Sequence, residues 1–285
     1  MRGLRAHLDV DLVELSFPAT SRVRTVLADV LWYPRLSTDA DVLHCPTFRG
    51  PFRSDRPLVV TVHDLAVLRH PEWFNRWTAT YSRFAVPRVV RAASRVIAVS
   101  EFTKRELVEL LRIPAGKIRV VPNAVEDVFT PHGERAEGDY VLAVGTLEPR
   151  KNLARVAEAV DGELRVAGAR GWGGVAPPAN VTWLGDVADD ELAKLYRGAR
   201  CLVYASLYEG FGIPVAEALA CGCPVVTSRD SPMAELAPGA TLVDPSDVAS
   251  IRDGIARATA IAPARGPSWA DVAAATRAVY EEVAA

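Results

Sequence analysis

Cys201-Leu-Val-Tyr-Ala-Ser-Leu-Tyr-Glu-Gly-Phe-Gly-Ile-Pro-Val-Ala-Glu-Ala-Leu-Ala-Cys-Gly222 decides how this chain is read. Its first five residues are a short apolar run, the pattern of a buried parallel strand. Two glycines then turn the chain into a helical segment with Pro214 in its first turn, where a missing N–H costs nothing. Gly222 is a natural C-terminal stop. Strand, glycine turn and helix start together aim free N–H groups and the positive helix end at one spot, which suits phosphate or sugar oxygens. Glu209 sits in the turn and Glu217 about one turn inside the helix, on a side able to face the same spot. Carboxylates only accept hydrogen bonds. Two of them beside an anion site point to a polyhydroxyl ligand that also carries phosphate, and a nucleotide sugar has that chemistry.

Outward from this stretch, strands alternate with helices, which implies parallel α/β sheets. Strands are expected at 9–15, 42–45, 58–62, 95–100, 118–121, 140–145, 164–168, 181–185, 201–205, 224–227 and 241–244. Helices are expected at the chain start (1–8), near 21–33, 73–93 and 101–112 with Ser100 as N-cap, and from 189 to 196. A final helix starts at Ser268-Trp269, with Trp269, Val272, Val279 and Val283 broadly on one side. Residues 126–139 (EDVFTPHGERAEGD) are polar and rich in turn formers, so the domain boundary is placed there. That gives a first domain over 1–133, a second over 134–267 and a terminal helix over 268–285.

The composition fits two packed domains. The 285 residues are 49% hydrophobic with a formal net charge of −2, which argues against a nucleic-acid binder. The charge is uneven. Residues 1–133 hold 19 Lys+Arg against 14 Asp+Glu, and the rest hold 14 against 21. A basic first half hints at an anionic partner. Over 69–95, Arg69, Arg76, Arg83, Arg88, Arg91 and Arg95 face a single acid, Glu72. Phe74, Trp77, Tyr81 and Phe84 fall there at helical spacing. They read as a core stripe rimmed by arginine, or as a surface approaching anionic lipid. Cys45, Cys201, Cys221 and Cys223 form no CxxC pair, so no zinc site is expected and the thiols read as reduced and cytosolic. No apolar run reaches the roughly 18 residues of a membrane span, and no signal peptide is visible. The expected location is the cytoplasm, with the basic face as a peripheral contact to the inner face of the membrane.

The two glutamates, eight positions apart around Gly-Phe-Gly, resemble the E-x7-E motif of retaining GT-B glycosyltransferases of the GT4-like group 1 family. Val121-Pro-Asn-Ala-Val125 is similar to that family's "PNGV" turn. Thr146-Leu-Glu-Pro-Arg-Lys-Asn152, after the strand ending at Gly145, resembles its phosphate-gripping turn. The resemblance covers nearly the whole chain from Asp9, most strongly 140–245. It implies two Rossmann-like domains with parallel sheets facing across a cleft, and transfer of a hexosyl group from a nucleoside-diphosphate sugar to an acceptor hydroxyl. By resemblance Arg150 and Lys151 grip the pyrophosphate, and Glu217 binds the ribose. Glu209 with the N–H groups around Phe211 and Gly212 holds the sugar. His63, at the end of the 58–62 strand, faces the donor as a catalytic group. Gly145, Thr146, Gly210 and Ile213 complete the donor-binding set. His44 ends an earlier strand in the same way.

"VGTLEPRKN" with "YEGFGIP" leans toward mannosyl transfer, with GDP-mannose as donor substrate and no separate cofactor. A glycan or lipid-linked acceptor is expected. Asp9-Val-Asp11 matches a metal motif of another glycosyltransferase fold, but its acids alternate with apolar residues as on a half-buried strand, so no metal is assigned. Two departures stand out. The sequence opens on a helix where the family has a strand and glycine loop, so the first domain reads as shortened. Thr146 replaces an arginine common after the glycine. Two other functions share these motifs: a sugar-nucleotide epimerase, and a binding protein that does not turn over.

Overall fold

The structure is a computed structural model that describes residues 2–14, 26–27, 39–169, 171 and 181–285. The chain divides into two compact units, Met1–Asn123 with Trp269–Ala285, and Ala124–Ser268.

In the first unit the described strands form one parallel sheet in the order β1 (Leu43–Cys45), β2 (Leu58–Val62), β3 (Arg95–Ala98) and β4 (Ile118–Val120). Every residue of β2 is buried, as expected for a Val-rich central strand covered on both faces. Helix α1 (Arg2–His7) lies at the chain start, and α2 (Ala66–Arg69) follows β2. Helix α3 (Arg76–Ala92) is capped by Asn75, whose side chain accepts from the Thr78 N–H. Helix α4 (Glu101–Leu111) is capped by Ser100, which accepts from the Thr103 N–H, as the sequence predicts. The chain's last helix, Trp269–Ala284, belongs to this unit. A Cβ at Gly3 would collide with the Trp269 ring, so glycine lets α1 sit against it. Further along, Tyr280 meets His44, and Glu282 binds both Arg95 and Arg119.

Two expectations fail or fall outside what is described. Residues 9–14 form no strand. They are irregular and exposed, with Val10 37%, Leu12 48% and Val13 68% accessible. Their alternation has no partner strand among the described residues, so apolar and polar positions alike face water. The helix expected over 21–33 lies outside the described residues except at 26–27, which are helical.

In the second unit the described strands form one six-stranded parallel sheet. Its elements in chain order are β5 (Tyr140–Val144), α5 (Leu153–Ala159), β6 (Glu163–Ala167), β7 (Val181–Gly185), α6 (Asp189–Gly198), β8 (Cys201–Tyr204), α7 (Ile213–Cys221), β9 (Val225–Ser228), α8 (Pro232–Leu236), β10 (Thr241–Val243) and α9 (Val248–Ala256). The final helix, α10, is the Trp269–Ala284 segment of the first unit. The spatial order β10-β9-β8-β5-β6-β7 is doubly wound, and the winding reverses between β5 and β8. Residues 124–133, which the sequence reading gave to the first domain, go with this unit. Phe129 packs edge-on to Tyr196 at 5.9 Å, and Arg197 donates to the Thr130 carbonyl at 3.1 Å. Phe129 therefore packs into the core of the second unit.

Candidate active site

Ligands of open α/β sheets bind beyond the strand ends where the winding reverses. Here that place lies after β5 and β8, and the two loops singled out in the sequence are the ones that leave those strands. They are joined directly: the Leu207 N–H donates to the Arg150 carbonyl at 2.8 Å. Asn152, in left-handed backbone with φ 58°, donates from its side chain to the carbonyls of Ala205 (3.0 Å) and Pro245 (2.7 Å). Gly145 has φ 148°, and a Cβ there would press on the Lys151 stem at 3.3 Å. A side chain at this position would push the lysine off its place.

The first turn of α7 is formed as the sequence predicts. Gly212 has φ 97° and its missing Cβ makes room for the Met233 side chain. Pro214 lies in the first turn and Gly222, with φ 71°, ends the helix. No side chain caps the N-terminus, so its positive end is open to a ligand oxygen. Phe211 is buried and Ile213 is 42% exposed beside it. Gly210 belongs to the same turn, and Thr146 follows Gly145 on the facing loop.

Arg150, Lys151 and Glu209 come together more closely than their separate expected roles imply. Arg150 Nη1 donates to Glu209 Oε2 at 2.8 Å, and Lys151 Nζ to Glu209 Oε1 at 2.7 Å. Lys151 Nζ also donates to the Tyr204 hydroxyl at 2.6 Å, which donates onward to Glu209 Oε1 at 3.0 Å. On its other side Arg150 Nη2 reaches Glu148 Oε1 at 2.9 Å. Glu209 is 6% exposed. Burial opposes its charge, but Lys151 and Arg150 outweigh that and hold its carboxyl below the usual range.

Glu217 has different neighbours. It accepts from the Tyr196 hydroxyl at 2.8 Å, and Tyr196 is fully buried. Burial pushes the Glu217 carboxyl up to about 7, against the Tyr196 hydrogen bond and with help from Asp189 and Glu126. The two glutamates of the motif thus sit in opposite electrostatic settings, one held charged and one near its midpoint at neutral pH.

In the first unit His63 follows β2, is exposed, and approaches the Pro46 carbonyl with Nε2 at 3.0 Å. Asp64 accepts from the Ala66 N–H at 2.9 Å and so starts α2. His44 lies between the Tyr280 hydroxyl (2.6 Å) and Thr61 Oγ1 (2.8 Å), and burial, with His63 nearby, pushes it down to about 4. Asp9 and Asp11 are exposed, and no three His, Cys, Asp or Glu among the described residues are grouped to hold a metal ion. No helix among the described residues is long and apolar enough to cross a membrane. Glu148, Tyr196 and Tyr204 were not singled out in the sequence. The tyrosines read there as helix and strand filler, and nothing in a linear pattern reports that both hydroxyls reach motif glutamates.

A doubly wound sheet with cations and an open helix N-terminus at its switch point is an arrangement that suits a phosphate-bearing ligand. Comparison with known proteins takes this further. The family model for Glycosyltransferase Family 4 matches residues 4–144, and that for Glycosyl transferases group 1 matches residues 175–265. The O-antigen chain mannosyltransferase B of Escherichia coli is 31% identical over an alignment of 269 positions, gaps included, that covers 82% of this chain and 68% of that one. The O-antigen chain mannosyltransferase RfbU of Salmonella typhimurium is 31% identical over 216 residues, 70% of this chain and 60% of that one. This chain therefore spans about two thirds of the length of these relatives. Among solved structures, sucrose-phosphate synthase from Thermosynechococcus elongatus superposes with a TM-score of 0.63 at 20% identity, covering 85% of this chain and 69% of that one. Anabaena HepE in complex with UDP-glucose gives 0.62 at 20% identity, covering 85% and 74%. The fold is that of the GT-B glycosyltransferases, and the chain belongs to the group 1, family 4-like glycosyltransferases.

Proposed function

We propose that this protein transfers a mannosyl group from a nucleoside-diphosphate sugar, GDP-mannose by preference, to a hydroxyl of a glycan or lipid-linked acceptor, with retention at the anomeric carbon and without a metal. The observation that carries this is the Arg150–Lys151–Glu209 cluster, set where the winding reverses and beside the open N-terminus of α7. The preference for mannose rests on the O-antigen mannosyltransferases among the relatives. Arg can fork two phosphate oxygens and Lys supplies a point charge, so with the helix end they neutralise the leaving diphosphate as the glycosidic bond breaks. Glu217 accepts from the ribose hydroxyls. Glu209, with the N–H groups at Phe211 and Gly212, positions the sugar. By the family resemblance, His63 is the histidine that faces the donor sugar.

The test is release of nucleoside diphosphate from a panel of nucleotide sugars with lipid-linked glycan acceptors, in the presence of chelator. Acceptor-dependent release, largest from GDP-mannose and undiminished by chelator, is expected. Binding of donors without release would leave a binding protein. Loss of activity in chelator, restored by manganese, would overturn the metal-free part.

The acceptor side has its own observation. On α3, Arg76, Thr80, Arg83, Phe84, Arg88 and Arg91 make up one exposed face. Arg69 is bound by Glu106 and Arg95 by Glu282, but among the described residues Arg76, Arg83, Arg88 and Arg91 pair with no carboxylate. Phe84 is 48% exposed, touches Phe52 edge-on at 5.8 Å and lies under the Arg88 guanidinium at 3.5 Å. Trp77 and Tyr81 instead stack on each other at 5.4 Å and are half-buried, so the aromatic stripe divides between packing and surface. This face suits an anionic bilayer holding the acceptor. Co-sedimentation with phosphatidylglycerol vesicles, and not with phosphatidylcholine alone, is the expected result. Arg83→Ala with Arg88→Ala should weaken it by about 2 kcal/mol. Equal binding to both vesicle types, or none to either, would remove this partner.

A further inference from the structure

Among the described residues two buried side-chain polar atoms have no hydrogen-bond partner, Glu148 Oε2 and Ser206 Oγ. They are not scattered. Glu148 precedes the turn that carries Arg150 and Lys151, Ser206 opens the glycine turn that carries Glu209, and these loops are joined at Arg150 and Leu207. Glu148 is 3% exposed and Ser206 2%. Buried acceptors without donors are rare in folded proteins and call for an explanation.

Charge supplies one. Arg150 and Lys151 carry two positive charges, and Glu148 and Glu209, when ionised, carry two negative ones. The basic pair is therefore neutralised before any phosphate arrives. A nucleoside diphosphate brings further negative charge, so a carboxylate in the cluster must lose its own or hold back the cations. Glu209 accepts from Lys151, Arg150 and Tyr204, and stays ionised. Glu148 has Arg150 on one oxygen and nothing on the other.

We infer that Glu148 takes up a proton from solvent when a nucleoside diphosphate binds at Arg150 and Lys151, so that its carboxyl loses the charge that holds Arg150 and gains a hydrogen-bond donor. This rests on the reading of the Arg150–Lys151 turn as a diphosphate site. The charged groups facing Glu148 are Arg150 and Lys151 from its own turn and Glu209 from the glycine turn. Burial raises the Glu148 carboxyl, the two cations lower it and Glu209 raises it, and the net direction is up. It is thus poised to accept the proton that its better-held neighbour refuses. Protonated, the oxygen that now has no donor carries one itself, and the cluster holds one negative charge fewer when the phosphate arrives.

The experiment is titration calorimetry of the full chain with GDP, and with UDP in parallel, in buffers of different ionisation enthalpy, which counts protons exchanged on binding. Glu148→Gln keeps the shape and an acceptor for Arg150 but cannot titrate. The parent chain should take up a large part of a proton more than Glu148→Gln does. Taking this difference cancels protons exchanged by Glu217 and by the nucleotide itself. Glu148→Asp should keep the uptake. The difference between the parent chain and Glu148→Gln should rise and then fall with pH, vanishing at low pH where Glu148 is already protonated. Binding with identical proton exchange in parent and Glu148→Gln, or a flat pH profile, would overturn the inference and leave the diphosphate site standing. No binding of either nucleotide would overturn the diphosphate reading, and this inference with it.

Discussion

Glu209→Gln should bind plain nucleoside diphosphate more tightly than the parent chain, transfer sugar more slowly and unfold more easily. The sign of the first effect follows from the cluster. Arg150 and Lys151 both donate to Glu209, so a phosphate must compete with that carboxylate for them. Glutamine removes the competing charge and keeps the shape. The slower transfer follows if Glu209 holds the sugar mainly in the transition state, since such an interaction shows in the rate constant. Loss of one charged hydrogen bond, about 1.5–3 kcal/mol, corresponds to roughly a tenfold to hundredfold drop in turnover. The stability loss follows because two cations lose a buried counter-charge, with a cost toward the lower end of about 3–5 kcal/mol. Lys151→Ala should do the opposite to affinity and weaken the diphosphate by about 1.5–3 kcal/mol. Calorimetry with GDP and UDP, single-turnover rates and urea midpoints on both variants decide the matter. If Glu209→Gln binds diphosphate more weakly than the parent, the carboxylate is no competitor and the cluster is structural.

The sequence pattern carried most of the architecture that positions this cluster. The runs at 58–62, 140–145 and 201–205 are apolar almost throughout, Thr61 being the polar exception, because parallel strands covered on both faces need them to be, and each is a strand within a residue or so. The proline and glycine marks of α7 acted through local backbone chemistry, and the structure has them where expected. Residues 9–15 misled for a reason that is also physical. Alternation announces a strand only if a neighbour pairs with it, and pairing is non-local. The same limit applies to the site. Residue types near positions 150 and 209 pointed to phosphate and sugar, but not to the fact that these groups first satisfy one another. That depends on β5 and β8 being neighbours in space, although Leu142 and its counterpart in register, Leu202, lie 60 positions apart along the chain. Glu148 was passed over because its importance lies in what its second oxygen lacks.

Raising the pH from 5 to 8 should destabilise the second unit through Glu217, and Glu217→Gln should remove that dependence. The carboxyl titrates at about 7 in the folded chain against an ordinary value of 4.5. A folded value above the unfolded one means that the native state holds the proton more tightly. The stabilisation is therefore complete below about 4.5 and is lost as pH rises through about 7. Above that range the loss reaches about 3 kcal/mol for a shift of this size. The Tyr196 hydrogen bond favours the charged form, so Tyr196→Phe should move the window to higher pH. Nucleotide affinity should run the other way. A charged Glu217 is the better acceptor for ribose hydroxyls, so the parent chain's advantage in affinity over Glu217→Gln should grow through neutrality and be largest at pH 8, while the opposite trend from proton uptake at Glu148 is common to both chains and cancels. The two trends have one cause: a carboxyl that folding prefers neutral is one that the ligand prefers charged, and the site gives up stability near neutral pH to present it. Urea midpoints and calorimetric affinities at pH 5, 6, 7 and 8 on parent and both variants read both trends. A stability difference between parent and Glu217→Gln that does not move against the parent as pH rises over that range would show that Glu217 is not the titrating group, since slopes from His44 and Glu148 are common to both chains and cancel.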